Sequence, residues 1–228
     1  MAPQTGFTNT PTNLPSILCL HGGGTNSTIF QVQTIRLQRA LSSHFNFVFL
    51  DGPFPSPPGP GVLPFFEDCG PFLRWNRSPS DPNLPEETKE LIANACKETD
   101  FVGVLGFSAG AKLAAGLLLE QQVRKRRGFR FGVLLMGVSP PLVSGLTDEE
   151  KATRIRVPSV VVLGKADPWR EEGRRLYDEF WEVGKARLLE LEIGHRLPNV
   201  EAENRMIVEE ILRLYRETRE GREELHAS

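Results

Sequence analysis

The sequence is poor in cysteine, and its few cysteines lie far apart. Cys19, Cys69 and Cys96 are the only three among 228 residues. An odd number at this spacing argues against a disulfide framework and does not match the spacing of zinc ligands. We therefore expect a reducing, cytoplasmic environment and no metal site.

The chain also lacks long hydrophobic runs and a strong excess of charge. No stretch approaches the roughly 20 apolar residues needed to span a bilayer, and residues 1–14 have neither the basic nor the apolar region of a signal peptide. The formal net charge is −2, which gives no broad attraction to nucleic acids or anionic lipids. The basic run at 124–127 is typical of a helix end. We expect no nucleic-acid or membrane partner.

What the sequence does have is a regular alternation of short apolar runs and longer amphipathic segments. This order is typical of parallel strands joined by crossover helices. It predicts an α/β fold with a mostly parallel sheet of about six strands and helices on both faces. The domain should cover residues 15–218, between a flexible leader at 1–14 and a charged tail at 219–228. The expected strands are 17–20, 47–50, 101–106, 132–136, 159–163 and 186–192; the expected helices are 28–41, 86–97, 109–126, 171–183 and 200–216.

Two segments interrupt the alternation. Residues 52–85 are too rich in proline and glycine for a regular helix or a central strand, but their aromatic residues argue against a purely solvated linker. We expect an ordered, proline-rich insertion that packs near the active site. Residues 140–156 are compatible with either a small lid or a plain connector.

The sequence Gly-x-Ser-x-Gly occurs where a predicted strand meets a predicted helix. Gly106, Ser108 and Gly110 would place the serine on a tight strand-to-helix turn, the nucleophile elbow of hydrolases. The first N–H of the following helix, that of Ala109, would face an oxyanion forming beside Ser108.

A glycine-rich turn after the first predicted strand could supply a second oxyanion donor. His21 is followed by three glycines, an arrangement that aims backbone amides at a substrate carbonyl in related hydrolases. Gly23 is the expected donor, with Gly24 as the alternative. A simple glycine-rich strand cap would explain these glycines but not the elbow downstream.

A catalytic serine needs a histidine and an acid after the last two strands of such a sheet. Among the four histidines, His195 alone has the required place, and Asp167 lies in a turn after the preceding strand. Asp148 and its acidic neighbours at 149–150 are rivals by order, but they fit a helix start after Thr147 better. The order serine, aspartate, histidine is that of α/β-hydrolases rather than of the chymotrypsin or subtilisin type.

Five short stretches together resemble the fungal family of serine hydrolases (FSH) of the α/β-hydrolase superfamily. They are residues 17–22, 49–53, the elbow at 106–110, the turn at 164–168 and the Gly-His pair at 194–195, within a likeness spanning 15–214. The family also includes a human ovarian-tumour-associated homologue and the stand-alone thioesterases of fungal polyketide pathways. The resemblance implies a compact α/β-hydrolase without a large cap domain, a triad at Ser108, Asp167 and His195, and ester or thioester hydrolysis.

The resemblance also narrows the substrate. The proline-rich insertion and Trp75 are similar to those of the polyketide-associated branch, which implies an acyl chain held as a thioester on a carrier protein of a polyketide synthase. Phe54 and Trp75 are the residues expected to contact the acyl group. A residue bulkier than Gly23 is common in the family at that position.

The leading hypothesis is therefore a serine hydrolase that forms an acyl-serine intermediate and needs no cofactor. An acyltransferase with the same triad, or a non-catalytic binding protein on a hydrolase fold, are the alternatives. Because a triad does not specify the leaving group, a carbon–carbon hydrolase or a peptidase also fits the sequence.

Overall fold

The computed structural model describes residues 14–78 and 81–227. The predicted leader, residues 1–14, lies outside this part of the chain except for Leu14. Within the described residues no helix combines the length and apolar character needed to cross a membrane.

The centre of the molecule is a six-stranded, fully parallel sheet, as the alternation predicted. Its strand order is β2-β1-β5-β6-β7-β8. A separate antiparallel ribbon, β3-β4, belongs to the proline-rich insertion. The strands are β1 Ser16–Leu20, β2 Asn46–Leu50, β3 Phe54–Pro55, β4 Leu73–Arg74, β5 Phe101–Phe107, β6 Phe131–Leu135, β7 Ser159–Gly164 and β8 Ala186–Leu191.

Helices follow the strands in the predicted order. The helices expected over 109–126 and 171–183 each end three residues early, at Val123 and Phe180, and two other predictions differ more. The segment expected as one helix over 28–41 is divided at Thr34, whose hydroxyl donates to the Phe30 carbonyl and competes with the helical pattern. The last helix passes its expected end at 216 and takes in most of the predicted tail, helped by an Arg213–Glu217 pair one turn apart. The helices are α1 Ser27–Gln33, α2 Ile35–Leu41, α3 Glu86–Glu98, α4 Ala109–Val123, α5 Asp148–Lys151, α6 Arg170–Phe180 and α7 Glu201–Ala227.

Side chains from the two faces of the sheet form two separate cores. In β1, Leu18 and Leu20 pack towards α3, α4 and α6, whereas Ile17 and Cys19 pack towards α1, α2 and α7. Strands β5, β6 and β7 are buried along their whole length. The helices therefore cover both faces, which explains why these strands are continuously apolar.

The segment at 140–156 is tied to the body of the molecule. Leu142, Val143 and Leu146 are buried in the core beside α4, and the Leu142 N–H donates to the Lys112 carbonyl over 3.0 Å. The short helix α5 begins at a capping box in which Thr147 and Glu150 bond each other's backbone N–H groups. These contacts favour the connector over the lid, and they place Asp148 at an exposed helix start.

The strand order reverses direction at the centre of the sheet. The chain runs outward from β1 to β2 on one side, and from β5 through β8 on the other. Ligands of open parallel sheets bind beyond the carboxyl ends of the strands at such a switch point. This edge carries the glycine turn after β1 and the serine after β5.

Candidate active site

Ser108 occupies a strained turn between β5 and α4. Its φ of 52° and ψ of −116° lie in a region that non-glycine residues rarely adopt. A β-carbon at Gly106 would lie 2.3 Å from the Gly110 carbonyl oxygen, and one at Gly110 would lie 2.0 Å from the Leu20 carbonyl oxygen. Both glycines of the motif are therefore required by close backbone approach.

Ser108, His195 and Asp167 form one hydrogen-bonded chain. His195 Nδ1 lies 2.7 Å from Asp167 Oδ2, and His195 Nε2 lies 2.9 Å from Ser108 Oγ. Because a carboxylate can only accept, Nδ1–H donates to Asp167 and leaves Nε2 free to accept the Ser108 hydroxyl proton. This is the tautomer in which a histidine can act as the base for a serine.

Asp167 is fixed by hydrogen bonds within the loop after β7 and by a bond from that loop to the loop after β8. Its side chain is only 4% exposed, and its second oxygen accepts the Trp169 backbone N–H over 2.8 Å. The turn before it is fixed by a bond of 3.0 Å from the Ala166 N–H to the carbonyl of Ile193, two residues after β8 ends. The loops that carry the acid and the histidine are thus joined directly.

The glycine turn after β1 lies beside the first residue of α4. A β-carbon on Gly23 would be 3.7 Å from Ala109 Cβ, so the two residues predicted to hold an oxyanion are neighbours. Gly24, the alternative donor, already gives its N–H to the Leu73 carbonyl over 2.8 Å. The geometry therefore favours Gly23 over Gly24.

The two glycines should respond differently to alanine. Gly24 has a φ of +73°, and a β-carbon there would lie 2.2 Å from Gly59 N, whereas Gly23 has room for one. We expect Gly24→Ala to destabilise the protein by at least about 2 kcal/mol, which lowers Tm by roughly 4–8 °C. Gly23→Ala is the matched control and should leave Tm within about 2 °C of the wild type. Equal Tm values for the two variants, measured by calorimetry, would contradict this geometry.

His21 holds two backbone segments together by hydrogen bonds and does not serve as a second base. It is fully buried; its Nε2 accepts the Gly52 N–H over 2.9 Å, so its Nδ1–H donates to the Gly22 carbonyl over 2.7 Å. Burial lowers the pKa of this imidazole, against smaller raising effects of the Gly22 bond and Asp51. The neutral ring therefore ties the glycine turn to the end of β2.

Two cavities meet at the triad. The larger has a volume of about 650 Å³ and the smaller a volume of about 90 Å³. Both are lined by Gly23, Ser108 and His195. A substrate group held at Ser108 can thus extend into either cavity.

The proline-rich insertion forms one wall of the larger cavity. Pro57, Pro58 and Pro60 line it, and the Gly59 N–H donates to the Gly24 carbonyl over 2.9 Å. Asn26 donates to the Cys69 and Pro71 carbonyls of the same insertion. The insertion is therefore fastened to the glycine turn.

The two aromatic residues expected to contact substrate lie in different places. Trp75 lines the larger cavity, although its side chain is fully buried and donates its indole N–H to the His21 carbonyl. Phe54 is not among the lining residues. It sits on the short strand β3 with the Arg77 guanidinium 5.3 Å from its ring centroid, so the geometry supports an acyl contact at Trp75 better than one at Phe54.

Several lining residues were missed from the sequence, and two of them lie close to the triad. Trp169 packs edge-on against the His195 ring at 4.5 Å between centroids, and Lys112 lies one turn along α4 from Ser108. The sequence position of Trp169, two residues after Asp167, could have indicated that its side chain lies near the triad. Among the described residues, no cluster of three or more His, Cys, Asp or Glu side chains could hold a metal ion.

Solved structures of low sequence identity share the fold. A carboxylesterase from Mesorhizobium loti matches with a TM-score of 0.59 at 17% identity, over 87% of this chain and 88% of that one. A Bacillus cereus carboxylesterase matches with a TM-score of 0.58 at 19% identity, over 89% and 90%. These likenesses show the α/β-hydrolase fold, which was predicted.

Relatives of higher identity come from fungal species. Esterase FUS5 of Gibberella fujikuroi is 39% identical over 214 residues, covering 89% of this chain and 88% of the relative. Thioesterase FSL2 of Gibberella zeae is 31% identical over 229 residues, covering 87% and 92%.

A family model described as serine hydrolase (FSH1) matches residues 12–207. This match and the similar esterases confirm the resemblance found in the short sequence motifs. The chain belongs to the FSH1 family of serine hydrolases and is a serine ester hydrolase.

Proposed function

We propose that the chain cleaves a carboxylic ester or thioester through an acyl intermediate on Ser108. The observation that carries the proposal is the continuous chain of hydrogen bonds from Ser108 Oγ through His195 to Asp167. It links a nucleophile, a base and an orienting acid, which is what acyl transfer by serine requires.

The first half of the reaction acylates Ser108. His195 Nε2 takes the hydroxyl proton while Ser108 Oγ attacks the carbonyl carbon, and the N–H groups of Gly23 and Ala109 hold the oxyanion. The intermediate collapses, the carbon–sulfur or carbon–oxygen bond breaks, and the leaving group takes the proton from His195. Ser108 then carries the acyl group as an ester.

The second half restores the enzyme. Water gives a proton to His195 Nε2 and its oxygen attacks the acyl carbon. When the new intermediate collapses, Ser108 Oγ leaves and recovers the proton. The product is the free carboxylic acid.

The proposed substrate is an acyl thioester, with a polyketide chain on a carrier protein of a polyketide synthase as the physiological form. The larger cavity has room for a chain of several carbons, and the apolar residues Val138, Leu142 and Trp169 line it. A relative of this chain bears the name thioesterase, which supports the thioester in particular.

The proposed location is the cytoplasm, where such a carrier protein would be met. All three cysteines are free thiols. Cys19 is buried, and burial raises the pKa of its thiol, so this residue packs as a small apolar side chain. Free cysteines are ordinary in a reducing compartment.

A product analysis tests hydrolysis against acyl transfer. The protein is incubated with an acyl thioester of N-acetylcysteamine in ¹⁸O-labelled water, with and without an added alcohol. We expect the free acid carrying one ¹⁸O atom in both samples, because water resolves the acyl-enzyme. Exclusive formation of the alcohol's ester would contradict hydrolysis and favour an acyltransferase, and absence of any turnover would favour a non-catalytic binding protein.

A further inference from the structure

Lys112 lies in the first turn of α4, the helix that begins directly after the nucleophile Ser108. It follows Ser108 by four residues, and its backbone N–H donates to the Ser108 carbonyl over 3.0 Å. Residues four apart lie on one face of a helix. The Lys112 side chain therefore stands one turn above Ser108, and it lines the larger cavity but not the smaller one.

The charge of Lys112 is not balanced by an ion pair with any described residue. Burial lowers the pKa of its ammonium group, so the half-buried position disfavours the charged form of Lys112. Arg74 also lines the cavity, and among the described lining residues Glu172 is the only acid. The charged lining side chains are thus two cations and one anion, an excess of positive charge.

Ser139 adds an unused hydrogen-bonding group to the same cavity. Its Oγ is buried and has no hydrogen-bond partner among the described residues, although Ser139 lines the cavity. The loop that carries it adjoins Lys112, since the Leu142 N–H donates to the Lys112 carbonyl. The Oγ is shielded from the cavity in this rotamer, so it reaches a ligand there by rotation about χ1. Because it makes no hydrogen bond in the described structure, that rotation breaks none, and a ligand would supply the partner that buried hydroxyls nearly always have.

We propose that Lys112 and Ser139 bind an anionic oxygen group on the half of the substrate that fills the larger cavity. The ammonium and the hydroxyl can both donate to one carboxylate or phosphate. The neighbouring apolar walls, including Pro57 and Leu142, would hold the intervening chain. This inference rests on the proposed function. It narrows the substrates to esters or thioesters that carry a carboxylate or a phosphate.

The anionic group has two possible sources, and two pairs of substrates separate them. A carboxylate at the far end of the acyl chain is tested with 4-nitrophenyl hydrogen glutarate against 4-nitrophenyl pentanoate, which has equal chain length. A phosphate on the leaving group is tested with acetyl-phosphopantetheine against acetyl-pantetheine. The measured quantity is the ratio of kcat/KM for the anionic substrate to that for its neutral partner.

Lys112→Met is expected to lower this ratio roughly 10- to 100-fold in one of the two pairs, as loss of a charged hydrogen bond would. The effect should fall mainly on KM, because the contact is present before the reaction. Lys112→Arg should restore part of the ratio, and Ser139→Ala should lower it less than Lys112→Met does.

Lys185→Met is the matched control. Lys185 is exposed and directly precedes β8, so it lies at the amino ends of the strands, opposite the site. The Lys185→Met substitution removes the same charge and should leave the ratio of kcat/KM values unchanged. A fall in the glutarate pair assigns the group to the acyl chain, and a fall in the phosphopantetheine pair assigns it to the leaving group.

Two results would overturn the proposal. If the wild type hydrolyses the neutral substrates but its ratio equals that of Lys112→Met in both pairs, the subsite is refuted and the proposed function stands. If the wild type hydrolyses none of the four substrates, the proposed function fails and the subsite fails with it.

Discussion

Replacing Ser108 with alanine is expected to lower kcat for an aryl ester by roughly 10⁴- to 10⁶-fold. Alanine removes the atom that attacks the carbonyl and leaves His195 with no proton to take. The polar groups around the carbonyl remain, so residual turnover should be slow but above that of water. Release of 4-nitrophenolate from 4-nitrophenyl acetate measures the effect.

Ser43→Ala is the matched control for this experiment. The Ser43 hydroxyl also lies near a histidine, 3.0 Å from His44 Nδ1, but the pair is exposed and stands before β2. Its removal should leave kcat unchanged. Equal turnover by Ser108→Ala and the wild type would refute the assigned nucleophile.

Asp167→Asn is expected to lower kcat by about 10⁴-fold while leaving the triad in place. The Trp169 N–H already bonds one carboxylate oxygen of Asp167, so an asparagine would place its carbonyl oxygen there. Its NH₂ group would then face His195 Nδ1 and donate to it. The imidazole would carry its proton on Nε2 and could no longer accept the proton of Ser108.

The control for the acid is Asp148→Asn. Asp148 is the rival acid by chain order, and it lies in α5 with an ion pair to Lys151. This variant should retain full turnover, because the residue does not contact His195. A large loss with Asp148→Asn and little loss with Asp167→Asn would reverse the assignment of the acid.

The sheet and the triad could be predicted because each rests on local sequence signals. The continuously apolar runs at β5, β6 and β7 mark strands covered on both faces, and the order of elements then fixes which loops reach the carboxyl edge. Once Ser108 was placed on an elbow, the positions of Asp167 and His195 followed from the strands before them.

The lining of the cavity was harder to predict, since it depends on contacts between distant segments. Phe54 and Trp75 are both aromatic residues of one proline-rich insertion, yet the β3-β4 ribbon turns Phe54 towards Arg77 and leaves Trp75 beside His21. In the sequence, Lys112 has no feature that distinguishes it from other helical lysines. Its place at the cavity depends on the packing of α4 against the loop that carries Ser139. The break at Thr34 and the end of α7 were also hard to predict. Neither place carries the proline or glycine that usually ends a helix.

The two cavities at the site differ in the residues that line them. The larger cavity alone carries Lys112, whereas both cavities reach Ser108 and His195. In the proposed reaction, Lys112 of α4 selects the substrate, and Ser108, at the start of that helix and one turn earlier, cleaves the bond. Variants at Lys112 should alter the choice of substrate, and variants at Ser108 should abolish turnover of every ester.

Reaction with a fluorophosphonate, followed by mass spectrometry of the intact protein and its peptides, tests whether Ser108 is the activated nucleophile. We expect one adduct per chain, located on Ser108, absent from Ser108→Ala and formed much more slowly by Asp167→Asn. The reagent captures the serine only when His195 activates it, so it reports the whole triad. An adduct on another residue, or an unlabelled Ser108 in folded wild-type protein, would show that Ser108 is not the nucleophile.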